Sequence, residues 1–317
     1  MDVLGIDVGK NDLHAELLQG ESSARKSVSN SEKGFAQLAS WLHNRGVDEL
    51  HVCLEATGVY SEAIAEFLAD SGYIVSVVNP GQIKAFGKSE LIRTKTDRVD
   101  AGVIARFCRA THPGPWKPAS PEMRVFRALI RRRETLTNMI VQERNRLEAA
   151  ATKEVQRSIK AVLKTLEDEL AQVNKALDDH LKNHPDLREL IDKIDTIPGY
   201  GAVTAMKVVA ETNGFRVCNS AKELVAYAGL NPSLYESGTI RRRGSISKIG
   251  NASLRKALYF AALAAASHSA YFRPFVVRLR AAGKRPKVII TALMRKLLVL
   301  AFTLFRTGRV FDAAYAA

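Results

Sequence analysis

The sequence predicts an α/β plus α chain: a mixed-sheet domain, then a long helical region, then a mainly helical C-terminal domain. Three observations carry that expectation. Strand-like and helix-like patterns interleave over the first 112 of 317 residues. Residues 122–182 contain neither glycine nor proline and repeat apolar residues every three or four positions. The charge is also uneven. Residues 1–112 carry 12 Lys+Arg against 15 Asp+Glu, residues 113–190 carry 15 against 12, and residues 191–317 carry 20 against 6. Those segments are the expected domains, and the last holds a surplus equal to the whole net charge of +14.

Residues 2–8 read as a buried strand, residues 12–19 alternate, and residues 23–29 are polar with spaced apolar positions, as at a sheet edge. Short turns at Gly9-Lys10-Asn11 and Gly20-Glu21 make these three antiparallel. Ser31 is a natural N-cap for a helix that buries Phe35, Leu38 and Leu42 and ends at Gly46. A strand over 50–55, a helix over 59–70, a strand over 73–79 stopped by Asn79-Pro80, and a helix over 97–110 follow. The order βββ-α-β-α-β-α is a ribonuclease-H-like arrangement of a meander plus crossovers.

His112 to Pro118 is the best linker. Beyond it, Val155, Ile159, Val162, Leu166, Leu170, Val173, Leu177 and Leu181 form a heptad-like seam, either an antiparallel hairpin or a coil between two copies. Residues 186–211 read as a helix-hairpin-helix around IPGYGAVTA, whose Gly199 and Gly201 would bring backbone N–H groups to a DNA phosphate; the alternative is a plain helical turn. A short helix is expected over 222–229. Residues 231–250 read as an irregular Gly/Ser/Arg-rich loop, and residues 252–267 and 286–306 as apolar helices.

The excess of base points to a polyanion partner. Three widely spaced cysteines, Cys53, Cys108 and Cys218, suit neither a disulfide framework nor a paired zinc motif and imply a reducing compartment. The acidic N-terminal stretch is not patterned as a signal peptide, and the longest apolar runs look too short for a bilayer. A cytoplasmic, nucleoid-associated protein without membrane contact is expected.

Four carboxylates stand out. Asp7 lies on the first strand and Glu55 ends the fourth, neighbours in a sheet of this kind. Asp97 and Asp100 open the last helix of that domain on one face. A helix dipole explains the second pair alone, and a phosphate-binding turn explains Asp7 alone, but neither explains all four. Four converging acids need divalent cations, which suit phosphoryl transfer. Further on, Tyr235-Glu236-Ser237-Gly238 precedes Arg241-Arg242-Arg243, and Lys248, Arg255 and Lys256 follow. A serine among arginines is usually a phosphate contact, and with seven scattered histidines a Ser-His-Asp hydrolase is excluded.

These segments together resemble one family. GIDVGK around Asp7, LEATGVY, VNPGQIKAFGKSE, RTKTDRVDA, IPGYGAVTA, AYAGLNPSLYESG and GSISKIGNASLRKALY occur in order over nearly the whole chain. The chain is identified as a member of the DEDD-type insertion-sequence transposases related to the Piv invertase, the bridge-RNA-guided serine recombinases. The resemblance implies a RuvC-like domain whose tetrad is Asp7, Glu55, Asp97 and Asp100, holding two Mg²⁺ ions. It implies a C-terminal transposase domain whose nucleophile is Ser237, forming a phosphoserine link to DNA. Donor and target DNA, a structured guide RNA, and dimers that pair into tetramers are the implied partners. Arg241, Arg242 and Arg243 are natural phosphate clamps.

Three other classes compete with this reading. A junction-resolving nuclease would use metal-activated water, with Ser237 only binding. An actin-like kinase would need a second glycine-rich loop, which is lacking. A non-catalytic nucleic-acid-binding protein would keep the fold alone.

Overall fold

Apolar residues alternate along the first strands, so each pairing buries one set above the sheet and the other below. In the computed structural model, residues 1–56, 58–91, 96–237 and 240–314 are described, and of residues 59, 97, 98, 234–237 and 240–245 the backbone alone. The chain divides into two compact units, Met1–Pro118 and Ala119–Ala317.

The first unit runs β1 (Asp2–Val8), β2 (Asp12–Gln19), β3 (Ser22–Ser29), α1 (Glu32–His43), β4 (Leu50–Glu55), α2 (Val59–Asp70), β5 (Ile74–Val78), α3 (Pro80–Ser89) and α4 (Asp97–Thr111). The strands form one mixed sheet in the order β3-β2-β1-β4-β5. β2 is antiparallel to β1 and β3, while β4 is parallel to β1 and β5. This is the ribonuclease-H-like, RuvC-like topology. Leu4, Ile6, Leu17 and Leu54 face α1 and α2, packing with Leu38, Leu42, Ile64 and Leu68. Val3, Leu18, Cys53 and Val78 face the other way, against Ile83 of α3 and Ile104, Phe107 and Cys108 of α4. The Cys53 thiol hydrogen-bonds with Cys108, and that contact with burial pushes its pKa up.

Asn79-Pro80 ends β5, as expected, and also starts a helix. The Asn79 side chain accepts from Gly81 N at 2.8 Å, and Pro80 occupies the first helical position, where its missing N–H costs nothing. The expected linker is strapped to the sheet through Pro118. Trp116 N donates to Val75 O at 2.7 Å, and the Ser76 hydroxyl donates to the carbonyls of Pro113 and Gly114. His51 Nε2 lies 2.8 Å from that hydroxyl.

The second unit opens with α5 (Pro121–Ala149) and α6 (Lys153–Asn183). They form an antiparallel hairpin: Arg133 bonds Asn174 and Arg144 pairs with Glu167. Leu136 and Ile140 of α5 bury Leu163 and Leu166 of α6. Leu177 and Leu181 join a larger core with Phe126. The seam over 155–181 is therefore filled mainly within one chain, the antiparallel hairpin that is one of its two readings. Only Val155 and Val162 of the seam remain exposed.

Next come α7 (Pro185–Asp195), α8 (Ala202–Glu211), α9 (Ala221–Tyr227), β6 (Pro232–Ser237), β7 (Ile240–Ile246), α10 (Ala252–His268), α11 (Arg273–Ala281) and α12 (Pro286–Thr307). The large core joins α5 to α12 through Val208, Leu224, Leu258, Ala262, Leu293 and Leu297. α12 is long and apolar enough to cross a membrane by composition, with a mean hydropathy of 2.1. The apolar run is thus longer than the sequence pattern implied. The apolar face of α12, including Leu293, Leu297 and Phe302, packs in this core.

Candidate active site

The site in the first unit begins with strand register. Ile6 pairs with Leu54 in the parallel β1–β4 ladder, so Asp7 and Glu55 follow as neighbours at the carboxyl ends of both strands. Alternation puts Asp7 on the face of Val3 and Gly5, and Glu55 on the face of Cys53, the side that α4 covers. Gly5 makes that cover close. A Cβ there would lie 2.3 Å from Ala101 O and 2.3 Å from Ala105 N. Only glycine lets α4 lie directly on β1.

α4 starts where it does because the Thr96 side chain caps it, accepting from Val99 N at 3.3 Å. Asp97 then holds the first helical position and Asp100 the next turn. The Asp97 side chain lies outside the described residues. Both residues stand in the first turns of α4, at the positive end of the helix dipole.

His14 is a neighbour that the sequence reading passed over. It sits directly opposite Asp7 in the antiparallel ladder, on the same face, with Nδ1 2.9 Å from Ser27 Oγ. The signal was the alternation of β2, where His14, Glu16 and Leu18 form the face opposite Leu13, Ala15 and Leu17.

Carboxylate oxygens without cysteine or amine donors form a hard donor set that suits a divalent cation such as Mg²⁺. Among the described side chains, no group of three or more His, Cys, Asp and Glu forms a metal cluster by itself. Asp97 stands outside that search. The donor chemistry of these carboxylates suits a divalent ion.

In the second unit, residues 231–250 are not an irregular loop. Pro232–Ser237 and Ile240–Ile246 pair as two antiparallel strands, with Tyr235 paired to Arg242, Glu236 to Arg241 and Ser237 to Ile240. Ser237 is the last residue of β6, and two residues connect it to β7. The side chains of Ser237, Arg241, Arg242 and Arg243 lie outside the described residues.

The glycine turn separates two jobs. Gly199 has φ +100°, and a Cβ there would meet Ala265 Cβ at 2.5 Å and Ala261 O at 2.6 Å. Its lack of a side chain serves packing against α10. Gly201, at the start of α8, is exposed and a Cβ there would meet nothing. Lys248 is exposed with φ 56°. Arg255 donates to the carbonyls of Ala228 and Gly250 at 3.0 and 3.1 Å, tying down the chain before α10. Lys256 pairs with Glu134 at 3.1 Å, and Lys207 reaches the same carboxylate at 2.5 Å.

Two family models match the chain: a DEDD transposase model of the IS110 type over residues 4–155, and the transposase IS116/IS110/IS902 family over residues 191–277. The pilin gene-inverting protein of Moraxella bovis is 33% identical over 98% of this chain and 97% of its own length. The chain belongs to the IS110-family DEDD transposases. The corresponding protein of Moraxella lacunata is 34% identical over the same shares. The transposase of insertion sequence IS1328 from Yersinia enterocolitica is 25% identical over 81% of each chain. Among solved structures, T. thermophilus RuvC with a Holliday junction substrate aligns over 36% of this chain and 99% of its own. Its TM-score is 0.28 and its identity 16%, so the fold assignment rests on the strand order instead. As an IS110-family transposase the chain is a DNA transesterification enzyme, with a DNA substrate and a divalent metal requirement implied.

Proposed function

We propose that this transposase is an RNA-guided DNA recombinase of an insertion sequence, dependent on Mg²⁺, that exchanges strands through a phosphoserine link at Ser237. The observation that carries the reading is the in-register neighbourhood of Asp7 and Glu55 on the face covered by α4. Asp7, Glu55, Asp97 and Asp100 are its ligand set. When bound, two Mg²⁺ ions supply Lewis-acid activation of an attacking oxygen and stabilise a leaving one.

Ser237 then acts as nucleophile. Its Oγ–P bond forms as the bond from phosphorus to one DNA strand breaks, and that strand departs as a hydroxyl after taking a proton. The serine proton passes to solvent. A hydroxyl from the partner strand reverses the step, restoring a phosphodiester and free Ser237 without net hydrolysis. A place at the end of β6, in a 75-residue stretch without acids, supports Ser237 as the residue that meets a phosphate.

Gly201, Lys248, Arg241, Arg242 and Arg243 are the proposed backbone contacts. Arg255 and Lys256 stand beside them while also serving the fold. Guide pairing with donor and target DNA would delegate sequence readout to base pairing. Assembly as dimers pairing into tetramers, in the bacterial cytoplasm on the nucleoid, completes the proposal. The extent of likeness to two pilin gene-inverting proteins supports inversion as one outcome.

A second reading is favoured by one feature. All four carboxylates belong to a unit with its own cores, which suits a nuclease using metal-activated water. Ser237→Ala separates the two. Strand exchange and covalent adduct disappear together under the recombinase reading, whereas undiminished cleavage supports the nuclease. RNA co-purified with the protein tests guidance, since full recombination after its removal contradicts it.

A further inference from the structure

Acidic residues stop at Glu236 and resume at Asp312, and the 75 residues between carry sixteen Lys and Arg. Six of these gather around one corner: Arg273, Arg278 and Arg280 on α11, then Lys284, Arg285 and Lys287 where α12 begins. All six are exposed. None takes part in an ion pair among the described residues, unlike Arg144, Arg188 and Lys207 earlier in the unit.

The corner is rigid. Lys284 N donates to Leu279 O and Gly283 N to Arg280 O, with Gly283 at φ +67°, a helix-ending motif that fixes the turn. Pro286 then starts α12 at once. The dipole of α11 welcomes Arg278 and Arg280 at its C-terminus. The dipole of α12 works against Arg285 and Lys287 at its N-terminus, where α1, α5, α6 and α7 each place an acid in the first turn. None of the six cations faces an acid among the described residues, and Arg285 and Lys287 also oppose the α12 dipole, a cost that a polyanion offsets.

We infer that this α11–α12 corner is a docking surface for the phosphate backbone of duplex DNA. The inference rests on the DNA-recombinase reading and adds a surface on elements other than the hairpin. Arg273 and Arg280 are seven helical residues apart, about 10 Å along the axis. One strand of duplex DNA presents a phosphate every ~3.4 Å along the axis, so about three fall in that span. Among exposed residues 273–288 there is no aromatic ring on which an unpaired base would stack. Phe275 is half-buried beneath Arg278 and Lys296, at 5.5 and 5.3 Å. A surface without stacking platforms suits a duplex backbone better than a single strand.

The test uses the full chain with Arg278, Arg280, Lys284 and Arg285 all changed to Gln. A charge-matched control changes Arg157, Lys160, Lys164 and Lys175 on the exposed face of α6. Affinity for a labelled DNA duplex and for an RNA hairpin is measured between about 50 and 200 mM salt. The corner variant is expected to bind DNA at least tenfold more weakly at ~150 mM salt and to lose about one unit of salt slope per residue. Its melting temperature should be unchanged or higher. Wild-type affinity and slope in that variant overturn the inference. So does an equal loss in the control, or a loss confined to the RNA hairpin. Failure of the unaltered protein to bind any DNA overturns the recombinase reading itself.

Discussion

Asp7 and Glu55 end two neighbouring parallel strands, one step beyond the Ile6–Leu54 pair, and both point to the side that α4 covers. Removing either takes away a proposed metal ligand without touching the apolar core. Asp7→Ala or Glu55→Ala should lower Mg²⁺-dependent cleavage at least about a hundredfold, since losing even an outer partner of a metal ligand costs 10–100-fold. The melting temperature should stay near that of the parent. Retained recombination with either variant contradicts the metal assignment.

Gly5 sets the distance between that pair and α4. Gly5→Val drives a side chain into the backbone of Ala101 and Ala105, which α4 cannot yield without moving. We expect a loss of about 1–3 kcal/mol in thermal unfolding of the first unit, with cleavage lost in proportion to the displaced helix. An unchanged melting curve contradicts the close packing.

Gly199 and Gly201, two residues apart, should respond differently. Gly199→Ala meets both a positive φ and the α10 backbone, so it should destabilise the second unit by more than about 1 kcal/mol. Gly201→Ala meets open space, loses only the N-cap preference for glycine, and should cost less than about 1 kcal/mol. If Gly201 meets a phosphate, its variant weakens DNA binding while the fold stays intact, measured by anisotropy alongside calorimetry.

Glu134 gives a pH dependence with a fixed sign. Burial opposes its ionisation, but hydrogen bonds from Lys207 and Lys256 outweigh it and hold the carboxyl below its ordinary value. A depressed carboxyl stabilises the fold above its unfolded pKa, and that stability is lost as pH falls through the folded one. Stability followed by denaturation from pH 7 downward should therefore fall less steeply below about pH 4.5 in Glu134→Gln than in the parent. Parallel curves contradict the double bridge.

The first unit was legible because its signals are local. Alternation places β1 and β2, and an N-cap serine places α1. Three other features were missed for physical reasons. Asn79-Pro80 both stops β5, as expected, and starts α3, because Asn79 caps and Pro80 fits the first turn. The β6–β7 hairpin was hidden by glycine, serine and arginine, which weaken β-propensity; the Gly238-Thr239 pair between Ser237 and Ile240 was its signal. α11 also escaped, being a short helix between two turn segments. The seam on α6 was correctly apolar, but periodicity cannot say which helix fills it. The partnership of α5 with α6 depends on contacts forty residues apart, such as Arg133 with Asn174. The packing of Gly199 against Ala261 and Ala265 was not legible because it is a tertiary fact.

The central claim is attack by Ser237, and a trapped adduct tests it most directly. The protein is incubated with labelled donor and target DNA, guide RNA and Mg²⁺, stopped with denaturant and digested with nuclease and trypsin. Trypsin releases residues 223–241, which contain Ser233, Tyr235 and Ser237. Fragmentation mass spectrometry should place a nucleotide phosphate on Ser237, and the adduct should vanish in Ser237→Ala. A phosphate on Tyr235 or Ser233, or strand exchange without any covalent adduct, would contradict the account.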